Sequence, residues 1–151
     1  MVIVKIIGGL GNQMFQYAYA KALEQKGYEV KIDISAFDTY KLHGGYQLDK
    51  YNIDLQSTTK EENSKFYRNH FIFKILKKLG LNFSKIVQEK SLLFDYRLLE
   101  VDDDNYLDGY FQSEKYFLDV RNVLLQQFQI KSEISIYIVS TEKYTSLKGF
   151  L

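Results

Sequence analysis

The chain has 151 residues, 46% of them hydrophobic and 26% charged, a balance that suits one folded globular domain and excludes a disordered polymer. A formal net charge of +1 argues against a dedicated nucleic-acid binder. The absence of cysteine rules out disulfide and thiolate chemistry, and with His43 and His70 as the only histidines a structural zinc site has no support.

The amino terminus lacks a basic region followed by a long apolar segment, and no run of about 18 apolar residues occurs. The expected setting is therefore cytoplasmic, without a spanning helix. Residues 2–34 read as a strand, a glycine turn, a helix, a glycine stop and a second strand. Val2 to Ile7 is a β-branched run of the kind buried on both faces of a parallel sheet, and Gly8, Gly9 and Gly11 end it. Asn12 is the expected N-cap, while Met14, Phe15, Ala18 and Ala22 fall on one arc expected to face the sheet. Gly27 stands where a left-handed C-terminal cap belongs, and Tyr28 to Ile34 resumes as strand.

Two readings of the glycine turn stay open. Backbone N–H groups at the helix start, with the helix dipole, favour an anion such as phosphate, but three glycines in a strand-to-helix turn also serve tight packing. The turn does not match the dinucleotide fingerprint, whose third glycine position is Met14, nor a P-loop, since no Gly-Lys-Ser or Gly-Lys-Thr triplet follows. Asp33, ending the second strand, keeps a ribose contact as an alternative.

Ser35 to Tyr51 carries turn signals, above all His43-Gly44-Gly45, and Tyr46 to Ile53 is expected to hold a short strand. His43 is a candidate cleft residue, with a solvated turn histidine as the plainer reading. Thr58-Thr59-Lys60-Glu61-Glu62 offers a capping box for a helix that begins near Lys60 and runs to Gly80. Lys65, Arg68, Lys74, Lys77, Lys78, Lys85 and Lys90 then stand against Glu89 alone, a basic amphipathic stretch suited to peripheral contact with the inner membrane face. The competing reading is a solvated face neutralised within the fold by the acidic residues between Asp95 and Asp108.

Tyr106 to Gln112 reads as a strand, Ser113 as an N-cap, and Phe117, Val120, Val123, Leu124 and Phe128 as the buried stripe of the next helix. Gln112 and Ser113 are candidate cleft residues, because open α/β sheets place ligand groups at carboxyl strand ends; structural capping explains them equally well. Ile134, Ile136 and Ile138 alternate as a final strand.

The string Gly8-Gly-Leu-Gly-Asn-Gln-Met-Phe-Gln-Tyr-Ala-Tyr-Ala-Lys-Ala-Leu23 resembles the amino-terminal signature of the bacterial galactoside α-1,2-fucosyltransferases. Asp108-Gly-Tyr-Phe-Gln-Ser-Glu-Lys-Tyr-Phe117 is similar to a later segment of that family, in the expected order. The resemblance implies an α/β fold, a Rossmann-like parallel sheet with flanking helices, as in the N-terminal domain of a two-domain GT-B type glycosyltransferase. It assigns residues 1–139 to that domain and 140–151 to a divergent or truncated tail, with a carboxyl-terminal half as the missing partner. It also implies inverting transfer of fucose from GDP-fucose to the 2-hydroxyl of a terminal galactoside, on an oligosaccharide or lipid-linked glycan, without a metal or other cofactor and without nucleic acid.

Gly8, Gly9, Gly11, Asn12 and Gln13 are the expected substrate-binding residues: the glycines permit close approach, and the two amides can bond to sugar or phosphate oxygens. Met14 and Phe15 are expected to pack. A family motif of histidine, any residue, two arginines, any residue and aspartate is expected from Tyr137, yet Tyr137, Val139, Ser140 and Glu142 occupy its four fixed positions. Lysine cannot copy a bidentate guanidinium fork, so transfer by this chain alone is expected to be impaired, and no catalytic residue is named. The alternative is a self-standing module that binds a nucleotide or phosphate without reaction.

Overall fold

A computed structural model describes residues 1–39, 42–66 and 85–131. Four parallel strands form one sheet: β1 (Val2–Lys5), β2 (Val30–Asp33), β3 (Ile86–Gln88) and β4 (Tyr106–Asp108), in the order β2-β1-β4-β3. The central β1 pairs Val2 with Val30 and Lys5 with Asp33 on one side, and Ile3 with Tyr106 on the other. Helices flank the sheet, which makes the fold a Rossmann-like α/β arrangement.

The β-branched run predicts β1 correctly because both of its faces are buried. Val2, Val4 and Ile6 join the main core under helix α1 (Leu10–Gln25), while Ile3 packs on the opposite face with Phe66 and Tyr106. Phe66 comes from helix α2, residues 60–66. The capping box forms as read: Thr59 Oγ1 accepts from the Glu62 N–H at 3.2 Å, and a Glu62 carboxylate oxygen accepts from the Thr59 N–H at 2.8 Å. The extension of that helix toward Gly80 lies outside the described residues, as do most of the basic stretch and the final strand after Ser132. One member of the basic stretch, Lys85, pairs with Asp104 at 3.1 Å, which is neutralisation within the fold.

Helix α1 departs from the sequence reading at its start. Gly8 turns the chain at φ +87°, Gly9 takes the N-cap in extended conformation, and Asn12 lies inside the first turn instead of capping it. Its end is as expected: Gly27 (φ +96°) donates to Glu24 and Tyr28 donates to Leu23, the two reversed bonds of a Schellman cap. The single sheet-facing arc is also corrected. Met14 and Phe15 are half-buried, whereas Tyr17, Ala18, Tyr19, Ala20, Ala22 and Leu23 are buried around the circumference. The reason is a second cover of α1 by residues 94–128: Tyr19 stacks on Phe111 at 4.1 Å between centroids and meets Tyr116 edge-on, and Phe15 meets Phe117 at 5.8 Å.

Three further corrections follow. No strand forms between Tyr46 and Ile53; a 3-10 turn at Leu48–Lys50 leads to an isolated antiparallel bridge between Tyr51 and Ile130. β3 is an element the sequence reading lacks, a three-residue strand among charged neighbours. β4 stops at Asp108, since Gly109 and a left-handed Phe111 (φ +50°) carry Gln112 and Ser113 out of the sheet into a loop. Two 3-10 turns, Glu114–Tyr116 and Leu118–Val120, precede helix α3 (Arg121–Gln127). Of its expected stripe, Val120 and Leu124 are buried, and Phe117, Val123 and Phe128 are half-buried.

A polar network ties α1 to α3. The buried Tyr17 hydroxyl accepts from the Asp54 N–H at 3.1 Å and places its one proton on Gln127 Oε1 at 2.8 Å or Asp54 Oδ1 at 3.0 Å. Lys21 Nζ reaches both Asp54 oxygens at 2.9 Å. Burial alone would raise the Asp54 carboxyl, but the bonds from Lys21 and Tyr17 outweigh it and hold its pKa below the ordinary value of 3.8. A lowered folded pKa gives stability that is present above the ordinary value and is lost as pH falls through the folded one. The advantage of the wild type over Asp54→Asn in melting temperature is thus expected to be constant near neutrality and to shrink below about pH 4. Its size should stay under about 1 kcal/mol, because the Asp54 side chain is 55% exposed and solvent screens the pair. An advantage that grows toward acid would refute the assignment.

Candidate functional site

The carboxyl ends of β1 and β4 lie side by side, and three loops converge there. The first runs from Gly8 into α1, the second is the turn at residues 42–47, and the third is residues 109–113. Two glutamines one helical turn apart hold them together. Gln13, fully buried, donates to the Gly8 carbonyl at 2.8 Å and the Gly45 carbonyl at 2.9 Å, and its Oε1 accepts from the Gln47 N–H at 3.0 Å. Gln16, also fully buried, accepts from the Ile7 N–H and donates to the Gly109 carbonyl, both at 2.9 Å.

The three glycines of the turn have separate reasons. At Gly8 a Cβ would fall 2.8 Å from Asn12 Nδ2, in a backbone conformation side chains rarely adopt. A Cβ at Gly9 would make ordinary contact with His43, which brings that histidine over the turn. Nothing lies within 4 Å of a Cβ at Gly11, so this position faces open space.

Most of the residues expected to bind a ligand are therefore brought together. Gly9, Gly11, Asn12 and His43 border the opening of α1, and Gln112 reaches across from the other loop, its Nε2 donating to Asn12 Oδ1 at 2.7 Å. Gln13 is the exception in role: both of its amide donors go to protein carbonyls, so it builds the site and does not face it. Ser113 follows Gln112 and precedes the 3-10 turn at Glu114–Tyr116, but its hydroxyl makes no capping bond. Asp33 does not point to a ribose. It is 1% exposed, and its carboxylate accepts from the Ser35 N–H and Asn63 Nδ2 at 2.8 Å and from the Tyr106 hydroxyl at 2.7 Å. The dinucleotide alternative loses its ribose ligand.

Chemically the site offers the uncapped start of α1, with its N–H groups and positive dipole end, beside two carboxamides. Such a set suits phosphate or sugar oxygens. Among the described residues no arginine joins it: Arg97 is engaged by Asp95, and Arg121 borders an apolar cavity on α3. No group of His, Cys, Asp or Glu able to hold a metal occurs among the described residues, and no helix there is long and apolar enough to cross a membrane. The altered motif at Tyr137 to Glu142 lies outside the described residues. Sequence reasoning missed Gln16 and Glu89, whose parts depend on loops far away in the chain; the spacing of Gln13 and Gln16 on one helix was the only local signal for the former.

The chain is similar to the alpha-1,2-colitosyltransferase of Escherichia coli, 32% identical over 133 residues. That match is to a glycosyltransferase. It covers 85% of this chain, and the chain spans 44% of the length of that relative. No family model matches, and no solved structure matches. The likeness to a glycosyltransferase agrees with the resemblance of the Gly8–Leu23 string at the level of glycosyl transfer, and it does not single out fucose as the sugar.

Proposed function

We propose that this chain is the Rossmann-like amino-terminal portion of an inverting α-1,2 glycosyltransferase that moves a deoxy-sugar, foremost fucose from GDP-fucose, to the 2-hydroxyl of a terminal galactoside. The supporting observation is the meeting of Asn12 and Gln112 at the carboxyl ends of β1 and β4, in a chain 32% identical to a transferase named for the same linkage. The open start of α1 takes a phosphate or sugar oxygen, and Asn12 and Gln112 orient hydroxyl groups. Gln13 and Gln16 fix the loops that present them.

Inverting transfer also needs a base for the acceptor hydroxyl and positive charge for the departing diphosphate. The described site holds neither an arginine nor an assigned base, so binding is the sharper test. Titration of the chain with GDP-fucose and with GDP in a calorimeter is expected to give saturable binding. Gly11→Val is expected to weaken it by roughly tenfold or more, a loss of at least about 1.4 kcal/mol. The variant should melt within a few degrees of the wild type, since the new side chain meets open space. A chain that melts cooperatively and binds neither ligand would end this reading. Supplying fucosyl and colitosyl donors with a galactoside acceptor and a carboxyl-terminal half of the relative's kind then decides the sugar.

A further inference from the structure

Glu89 follows β3 and lies outside both family-like strings, Gly8 to Leu23 and Asp108 to Phe117. Its Oε2 accepts from two consecutive backbone donors of the next loop, the Tyr110 N–H at 2.7 Å and the Phe111 N–H at 3.0 Å. Its own N–H donates to the Asp108 carbonyl at 3.0 Å. The contact is close: a Cβ at Gly109 would come within 2.5 Å of the Glu89 Cβ. Phe111, the second residue held, has the left-handed φ of +50° that turns the chain out of β4, and the next residue is Gln112.

This carboxylate is a poor device for stability alone. Its other oxygen, Oε1, is buried and makes no hydrogen bond among the described residues, an arrangement that costs free energy. What the two-point hold does achieve is to fix a strained turn in the orientation that lets Gln112 reach Asn12 across the site. We propose that Glu89 is a positioning residue, acting through Phe111 to place Gln112 against Asn12. The assignment rests on the transferase reading only where it concerns ligand affinity; the hold on the loop stands apart from it.

The test is a double-mutant cycle read in two ways. Glu89→Ala, Gln112→Ala and the double variant are compared with the wild type for GDP-fucose affinity, and the amide exchange of Tyr110 and Phe111 is followed by NMR together with the Gln112 side-chain amide signal. Glu89→Ala is expected to speed both exchanges by roughly tenfold or more, to shift the Gln112 signal and to weaken binding by roughly tenfold, while adding nothing once Gln112 is already alanine. Equal losses in both backgrounds, or unchanged exchange at Tyr110 and Phe111, would overturn the proposal.

Should Glu89→Ala fail to melt cooperatively, Glu89→Gln decides, because its amide oxygen accepts the same bonds without the charge. Exchange faster by a few-fold with a shifted Gln112 signal supports the role, and an unchanged pair refutes it. If the wild type binds no nucleotide sugar, the transferase reading falls, and the exchange and Gln112 signals alone judge Glu89.

Discussion

Asp33→Ala is expected to destabilise the chain by about 3–5 kcal/mol, a large share of the total stability of an ordinary domain. The carboxylate sits 1% exposed at the end of β2 and satisfies three donors from three places: Ser35, Asn63 at the start of α2, and Tyr106 on β4. Removing it orphans the buried Asn63 amide and Tyr106 hydroxyl, at roughly 1–3 kcal/mol for each donor that finds no substitute, while the N–H of the exposed Ser35 turns to solvent. Asp33→Asn is expected to cost less, about 1–2 kcal/mol. Its oxygen still accepts from Ser35 and Asn63, and only the contact with the Tyr106 hydroxyl must reverse direction.

Urea unfolding separates these outcomes, with the midpoint moving and the slope constant for a change in stability. An Asp33→Ala midpoint that matches wild type would show that the three donors have other partners. The same variants weigh against the dinucleotide alternative. A ribose ligand at this position would make Asp33→Asn lower NAD affinity, whereas a buried structural carboxylate leaves any such affinity unchanged.

What was legible in the sequence was local. The run Val2 to Ile7, the glycine turn, Gly27 and the Thr59–Glu62 box obey backbone rules confined to a few residues, and each appears where expected. The arc on α1 misled because its prediction assumed one buried side; Tyr17 and Tyr19 are covered by residues 94–128, a neighbour that no helical period announces. β3 escaped because three residues, Ile86–Gln88, are too few for an alternation to register between Lys85 and Glu89. Gln112 was read as a cleft residue at the end of a strand, and it does reach the cleft. The strand itself ends at Asp108, and the reach comes from Phe111 turning left-handed under the hold of Glu89. Asn12 carries two expectations, cap and cleft residue; Gly9 takes the cap, and Asn12 is half of the pair that spans the site.

Gln13 separates the two kinds of role most sharply. Gln13→Leu keeps an apolar bulk of roughly similar size and removes three hydrogen bonds, one buried and two part-buried, taking the side-chain partner from the carbonyls of Gly8 and Gly45 and the N–H of Gln47. The expected loss is about 3–5 kcal/mol, with the turn at residues 42–47 released from the start of α1. Gln13→Glu is expected to be comparably damaging near neutrality, since a carboxylate would confront two carbonyl oxygens. Burial and those carbonyls would raise the pKa of the introduced glutamate in the folded state. A raised folded pKa means stability present at low pH and lost as pH rises, so this variant should recover toward wild type on acidification while Gln13→Leu does not. Thermal melts across pH measure both. If Gln13 instead served the ligand directly, Gln13→Leu would melt like wild type and lose only affinity for GDP-fucose. The buried amide with all of its donors committed requires the reverse order: the fold weakens first, and binding fails because the loops that present Asn12 and Gln112 are no longer held together.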